Sequence, residues 1–194
     1  MSYSIHELRE HLDKQVISLN MRWNMYNCLF AETEEKIGIL QETAPHMFGV
    51  IQIALFNDII LYLTRLTDPK KNGKHENLVL EQLLEHSDIK TKPKLLEQLE
   101  IQITALRVKC QHCRTSRHKS IAHQDLTHAL TPLSPYGGIS LEDIKELLDM
   151  VNKLMNTVNH NLEDKETLYE LHNELNIDVN SLFKSLEKAK QNIK

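Results

Sequence analysis

The chain has few of the residues that interrupt helices or form covalent frameworks. Its 194 residues contain only 5 Gly and 5 Pro, and runs of β-branched residues are scarce, whereas Leu, Glu, Lys and Asn are plentiful. This composition favours helices over strands. The 3 Cys are an odd number, with one far from the others, which argues against a disulfide framework. A reducing compartment is the natural setting for such a chain, so we expect a cytoplasmic protein.

Several other features are missing, and each absence excludes a class of protein. No stretch approaches ~18 uninterrupted apolar residues, so we expect no membrane-spanning segment. The N-terminus lacks a basic segment followed by an apolar core, so we expect no signal peptide. The sequence has no glycine-rich phosphate loop and no cluster of carboxylates, which argues against a nucleoside triphosphatase or a magnesium nuclease. We therefore predict neither a metal nor a cofactor.

Apolar residues recur at helical spacing along most of the chain, which predicts an all-α fold. Loops are predicted at 70–74 and 131–138, where turn-forming residues concentrate. The predicted helices run from Ser4 to about Gly38, Pro45 to about Leu66, Leu78 to about His86, Thr91 to about Gln124, from Ser140 and from about Lys165.

The predicted helix ends rest on capping residues. Ser4 with Glu7, and Ser140 with Asp143, have the spacing of capping boxes, and Asn77 is the predicted cap of the short helix. The length fits a single domain over residues 1–194, with a core at about 4–160 and a C-terminal helical extension at about 165–192.

The segment from about Lys94 to Gln124 begins as a core helix. The next position on its apolar face is Arg117, and a buried guanidinium is costly unless a partner or a water-filled site receives it. We therefore expect this helix to become a functional site near its C-terminal end. The apolar face recurs at steps of three and four residues, at Leu96, Leu99, Ile103, Leu106, Cys110 and Cys113.

The same segment is basic within an acidic chain. The formal net charge is −4, yet no Asp or Glu occurs from Ile101 to Gln124. Such a cluster fits an anionic ligand such as phosphate, but it equally fits a solvated cationic face near a helix C-terminus, where the macrodipole stabilises cations. Charge alone leaves both interpretations open. The cationic and imidazole residues of this span are Arg107, Lys109, Arg114, Arg117, Lys119, His112, His118 and His123.

Arg117 and His123 carry the groups that cleavage of a phosphodiester requires. An imidazole moves a proton near neutral pH, and a guanidinium holds two phosphate oxygens while charge develops. RNA supplies its own nucleophile, the 2′-OH, so no metal is required in principle. Six residues along a straight α-helix rotate a side chain by ~240°, so the two groups do not share a face. They converge if the helix ends or kinks between them, or if two subunits each supply part of the site.

The run from Arg117 to His123 resembles the signature of HEPN domains. These all-α proteins carry an Arg, a following polar residue (here His118) and a His after four to six intervening positions. The order of landmarks in this chain also resembles the AbiU-type group of abortive-infection HEPN proteins, over roughly Trp23 to His160. The landmarks are the segments Tyr62–Pro69, Glu76–Leu78 and Arg117–His123.

The resemblance implies a HEPN-like helical bundle with long antiparallel helices, which dimerises so that the two motifs face each other. It implies metal-independent cleavage of RNA in phage defence or in a toxin–antitoxin system, where an antitoxin or a defence protein would be a further partner. By this resemblance Arg117 and His123 are catalytic, and His118 is the polar residue that assists them.

Three residues that flank or lie within the motif, Lys119, Arg114 and Ser120, are our candidates for binding substrate phosphate. The chain departs from one related pattern. Toxins paired with nucleotidyltransferase antitoxins have a Tyr two positions after the motif His, and this position is Asp125 here. Regulation by modification of such a Tyr is therefore not expected.

Other interpretations stay open. Cys110 and Cys113, with His112 nearby, form part of a zinc signature, but the second ligand pair is missing and both thiols lie on the apolar face, so we predict no zinc. A HEPN dimer that binds RNA, a nucleotide or a partner protein without chemistry is the alternative to an enzyme. A helical interaction protein with a coincidental motif is a third interpretation.

Overall fold

A computed structural model describes residues 3–122, 125, 126, 130, 138–170 and 173–192. Helices dominate these residues, which confirms the predicted all-α fold class. The α-helices are α1 (Ile5–Phe30), α2 (Glu34–Thr43), α3 (Pro45–Leu66), α4 (Ser87–Lys90), α5 (Pro93–Lys109), α6 (Gln111–Ser116), α7 (Leu141–Glu163) and α8 (Asn173–Asn192). The other elements are a 3₁₀ helix (Leu80–Glu85), a π-helix (Arg117–Ala122) and an antiparallel hairpin of β1 (Lys71–Asn72) and β2 (His75–Glu76).

The chain divides into two compact units, and the first holds the motif-bearing segment. It consists of residues 1–17 and 60–168. Within it α5 packs against α7, and Nε2 of Gln102 on α5 donates a 3.1 Å hydrogen bond to Oγ1 of Thr157 on α7. The apolar faces of the two helices are buried as the periodicity predicts, except that Leu95 rather than the predicted Leu96 is the buried residue in the first turn of α5 and Leu96 is half-buried. The buried side chains include Leu95, Leu99, Ile103 and Leu106 of α5 and Ile144, Leu147, Val151, Leu154 and Val158 of α7.

The second unit consists of residues 18–59 and 169–194. Here α2 packs against α8. The rings of Tyr26 and Phe56 lie 5.7 Å apart between centroids, in a tilted arrangement that aromatic pairs favour. This unit therefore has an apolar core of its own, formed by Leu29, Ile39, Leu40, Phe48, Val179 and Phe183.

Helix ends with clear sequence signals lie where they were predicted. The helix α3 begins at Pro45 and ends at Leu66. At the start of α1, Oγ of Ser4 accepts from the Glu7 backbone N–H at 3.1 Å, and the Ser4 N–H donates to Glu7 Oε2 at 2.8 Å. A second reciprocal capping box joins Ser140 and Asp143 at the start of α7. Both boxes satisfy backbone N–H groups that a helix leaves unpaired.

Two predicted helices were too long. The first ends at Phe30 rather than near Gly38, because Thr33 caps a new helix and its Oγ1 accepts from the Lys36 backbone N–H at 3.2 Å. The C-terminal helix begins at Asn173 rather than near Lys165. Before this helix, the backbone of Thr167 is bound by the side chain of Asn156 on α7. The Thr167 N–H donates to Asn156 at 2.9 Å, and the Thr167 carbonyl accepts from Asn156 at 3.0 Å, so neither group is available for helical hydrogen bonds.

The segment after α3 also differs from its prediction. The predicted cap of the short helix is wrong, because Nδ2 of Asn77 instead donates a 2.8 Å hydrogen bond to the carbonyl of Pro69, and the helix is a 3₁₀ helix that begins at Leu80. The predicted loop at 70–74 contains strand β1 and a turn at Gly73, whose φ of 61° favours glycine. Most of the loop predicted at 131–138 lies outside the described residues.

Within the described part of the chain, one helix, α3, is long and apolar enough to cross a membrane by length and composition. Only 33% of its most apolar stretch is buried. The core helices of soluble proteins meet the same criterion, so the predicted absence of a membrane segment and the cytoplasmic location stay predictions. The exposed apolar side chains of α3 are Met47, Val50, Ile51 and Ile53.

Candidate functional site

The motif-bearing segment is not one straight helix. The helix α5 ends at Lys109, Cys110 separates it from the short α6, and the chain then winds as a π-helix from Arg117 to Ala122. π-helical turns close with i→i+5 hydrogen bonds, are rare and often occur at functional sites. The change in helix geometry therefore falls at the first residue of the motif.

Arg117 is held by the carboxylate of Asp68, a residue of the same unit. Its Nη1 donates a 2.8 Å hydrogen bond to Oδ2 of Asp68, which lies just beyond the C-terminus of α3. The Arg117 and Asp68 side chains are 27% and 21% exposed, so the ion pair is partly buried. Such a pair is worth more than a surface ion pair, because less water screens it. One arm of the guanidinium is thereby fixed in place.

Arg114, one turn earlier, is bound to the same stretch of chain. Its Nη2 donates 2.6 Å hydrogen bonds to both the carbonyl and Oγ1 of Thr67, and its Nε lies 4.0 Å from Oδ1 of Asp68. Thr67 is 4% exposed, so Arg114 satisfies a buried backbone acceptor. Arg114 therefore fixes the end of α3 against the motif helix, and its role as a phosphate ligand stays a prediction.

Cys110 and Cys113 form a buried pair next to this cluster, with 0% and 1% of their surfaces exposed. The thiol of Cys113 donates a hydrogen bond to Cys110, which lowers the pKa of Cys110 despite its burial. The Thr67 hydroxyl and the charges of Arg114 and Arg117 lower it further. The same bond and burial raise the pKa of the Cys113 thiol, whose proton is held. Because both thiols are buried, the pair packs as part of the core.

The basic span of the sequence is partly neutralised by carboxylates from elsewhere in the fold. Arg107 pairs with Glu81 at 3.1 Å, and Lys109 pairs with Glu146 at 2.6 Å. Together with the Arg117–Asp68 pair, these contacts lower the positive potential that the sequence alone implies. The cationic character of the site therefore depends on the N–H donors of Arg117 that no described residue engages and on residues that follow α5.

The other predicted site residues are exposed or lie outside the described residues. His118, Lys119 and Ser120 are exposed on the π-helix. The backbone N–H of Asp125 donates a 3.1 Å hydrogen bond to the carbonyl of Lys119. His123, our predicted general acid or base, lies outside the described residues.

No group of three or more His, Cys, Asp or Glu side chains suited to a metal occurs among the residues described. The absence of zinc stays a prediction for elemental analysis.

The family model for AbiU2, a group of HEPN domains, matches residues 2–182. The chain belongs to the AbiU2 family of HEPN domains. It is thus an abortive-infection-related HEPN protein, as the resemblance implied. No curated protein and no solved structure matches the chain.

Two residues of the candidate site were not predicted from the sequence. Asp68 and Thr67 lie within the landmark segment Tyr62–Pro69, and the structure shows that they are the contacts of Arg117 and Arg114. A signal for Asp68 was present, because an inward Arg requires a partner and the HEPN motif span itself contains no carboxylate. The sequence could not indicate which distant carboxylate meets it.

Proposed function

We propose that this AbiU2 protein is a metal-independent endoribonuclease that acts in phage defence or as the toxin of a toxin–antitoxin pair. The observation that carries the proposal is the anchored Arg117 at the start of the HEPN motif. Asp68 uses Nη1, and no described residue engages the other N–H donors of this guanidinium. An arginine has five N–H donors, so enough remain for two phosphate oxygens.

The proposed reaction is attack of a ribose 2′-OH on the adjacent phosphorus. The new bond joins the 2′-oxygen to phosphorus, and the bond from phosphorus to the 5′-oxygen of the next nucleotide breaks. The products are a 2′,3′-cyclic phosphate and a 5′-OH. The 2′-OH proton passes to a general base, and the leaving 5′-oxygen receives a proton from a general acid. His123 serves one of these roles, while Arg117 stabilises the charge on the phosphate.

The proposed active site is formed by a homodimer. In the HEPN arrangement two motifs face each other, so His123 of each chain can serve the proton transfers at one site. His118 orients the phosphate or Arg117, and Lys119 and Ser120 contribute further phosphate contacts from the exposed π-helix. RNA is the substrate, and an antitoxin or defence protein would restrain the activity in the cell.

The test is incubation of the purified protein with total RNA in EDTA, with His123→Ala in parallel. The wild type should cut RNA, leave DNA intact for want of a 2′-OH, and leave 2′,3′-cyclic phosphate ends. Loss of a general acid–base group should slow cleavage by about 10²–10⁴-fold. Cleavage that requires added magnesium, or equal cleavage by His123→Ala, would contradict the proposal and favour a HEPN dimer that only binds.

A further inference from the structure

A cavity of about 200 Å³ lies beside the Arg117–Asp68 pair in the first unit. We call it the Arg65 cavity, and Asp68 is one of its walls. Because Asp68 also holds Arg117, the cavity and the proposed phosphate site share a residue. A group bound in the cavity would therefore lie against the residue that holds Arg117. The lining residues are Gln15, Arg65, Leu66, Asp68, Asn77 and Leu78.

Arg65 offers an uncommitted charge at this cavity. It lies in the last turn of α3, its guanidinium carbon is 5.2 Å from the centroid of the Tyr62 ring, and its side chain is exposed. No described residue forms an ion pair or a side-chain hydrogen bond with it. A cation at a helix C-terminus is stabilised by the macrodipole, which accounts for its position but leaves its donors available.

The other lining residues match a nucleobase. Leu78, which is 42% exposed, presents an apolar side chain on which a base can pack, whereas Leu66 is 2% exposed and forms only the floor of the cavity. Gln15 brings an amide with both donor and acceptor atoms. Asn77 has its Nδ2 bound to the carbonyl of Pro69, so its Oδ1 is left as an acceptor. An amide acceptor fits an exocyclic base amine.

We infer that the Arg65 cavity is a nucleotide subsite that binds the base next to the scissile phosphate and prefers a base with an exocyclic amine. The inference rests on the proposed function, since it takes RNA as the ligand. The volume is below the range of about 300–1,000 Å³ typical of drug-sized ligands, which fits one base rather than a longer segment.

A neighbouring cavity measures about 310 Å³ and shares Asn77 and Leu78 with the first. Its walls carry the carboxylates of Glu7 and Glu76 but no arginine, and Glu76 pairs with Lys71 at 3.2 Å. This cavity is therefore less suited to a nucleotide than the Arg65 cavity, where Arg65 supplies a positive charge.

The test measures binding separately from cleavage. The probes are fluorescein-labelled octamers of 2′-O-methyl cytidine and 2′-O-methyl uridine, which lack the nucleophile and stay intact. Fluorescence anisotropy in EDTA compares the wild type with Arg65→Ala and Leu78→Ala. The matched control is Lys74→Ala, an exposed cation in the β1–β2 turn that does not line the cavity. Circular dichroism verifies the fold of each variant.

We expect Arg65→Ala and Leu78→Ala each to weaken binding of the cytidine octamer by about tenfold. Lys74→Ala should change it by less than about twofold, because Lys74 is equally exposed but does not line the cavity. The wild type should bind cytidine about fivefold more tightly than uridine, because the two bases differ in the exocyclic amine. Equal effects of Arg65→Ala and Lys74→Ala, an unchanged Leu78→Ala, or equal affinity for both octamers would overturn the inference.

A cleavage assay on the same variants separates this inference from the proposed function. If the wild type cuts RNA but Leu78→Ala binds and cuts normally, the subsite is wrong and the endoribonuclease stands. If binding depends on Arg65 and Leu78 but no RNA is cut, the subsite stands and the enzyme is wrong.

Discussion

The carboxylate of Asp68 and the guanidinium of Arg117 meet at 2.8 Å although 49 residues separate them in the chain. The contact joins the end of α3 to the start of the HEPN motif. It fixes one arm of Arg117 and leaves the remaining donors of this side chain for a ligand. The first two predictions follow from this arrangement.

Asp68→Asn should lower kcat for RNA cleavage by about tenfold or more, with a smaller effect on KM. The amide keeps the shape of the side chain but loses the charge that positions Arg117, and misplacement of a catalytic group slows chemistry. Steady-state kinetics on a defined RNA measures the effects on kcat and KM separately. The control is Asp58→Asn, which removes the partner of Arg22 in the second unit. An equal loss of kcat in the control would contradict a positioning role.

Arg117→Lys should cut RNA about 10²–10³-fold more slowly than the wild type, close to Arg117→Ala. An ammonium keeps the charge and can still pair with Asp68, but it lacks the planar fork that holds two phosphate oxygens at once. Single-turnover cleavage measures the rate, and circular dichroism verifies the helices. Near-normal cleavage by Arg117→Lys would show that charge alone is sufficient.

Thr67→Val should lower the free energy of unfolding by about 1 kcal/mol, because Nη2 of the half-buried Arg114 guanidinium loses one of its two acceptors. The matched control is Thr64→Val. The Thr64 hydroxyl is buried and donates only to the carbonyls of Ile60 and Leu61 within its own helix, so its loss should cost less. Urea denaturation measures the free energy of unfolding of both variants. A larger loss for Thr64→Val than for Thr67→Val would contradict the stabilising role of the Thr67–Arg114 contact.

The start of α7 should contribute stability that disappears in acid. The side-chain and backbone hydrogen bonds from Ser140, followed by Lys109, hold the pKa of Asp143 below its ordinary value. A carboxyl with a lowered pKa in the folded state stabilises the fold above its unfolded pKa of about 3.9, and this contribution is lost as pH falls through the folded value. Asp143→Asn should therefore be less stable than the wild type at pH 7, and the difference should shrink below about pH 4.

Thermal unfolding as a function of pH measures this difference. Asp149→Asn is the control, because Asp149 is an exposed residue of the same helix outside the capping box. A difference between wild type and Asp143→Asn that persists unchanged at pH 2 would contradict the capping role.

The protein should sediment as a dimer at micromolar concentration. The motivation is the proposed HEPN arrangement, in which a two-fold interface lets the motifs of two chains complete one site. The exposed apolar side chains of α3, including Val50 at 68% and Ile53 at 55% exposure, offer additional surface for association. A monomer across this concentration range would contradict the dimer.

The sequence was most informative where a local rule decides the structure. Both capping boxes and the limits of α3 follow from single residues with strong preferences, so they were predictable. The cap at Thr33 carried a comparable signal, with Glu34 and Glu35 in the first turn, and was overlooked because the apolar spacing continued past it. Periodicity alone does not reveal a break between two helices that keep the same phase.

The parts that could not be predicted depend on distant partners. Asn156 holds the backbone of Thr167, and Asp68 meets Arg117, only because the fold brings them together. The acid-free span from Ile101 to Gln124 looked strongly basic in sequence, but Glu81, Asp68 and Glu146 supply the missing carboxylates in space. Charge patterns along a chain therefore overstate the charge of a site when neighbouring elements contribute the opposite sign.

The π-helical winding from Arg117 to Ala122 has a consequence for how this segment tolerates changes in length. A π-turn accommodates one residue more than an α-turn before its hydrogen bond closes. Removing one residue here can restore α-helical bonding while α6 and the anchored Arg117 stay in place. We therefore expect the segment to tolerate the deletion of one residue better than an α-helix of the same length would.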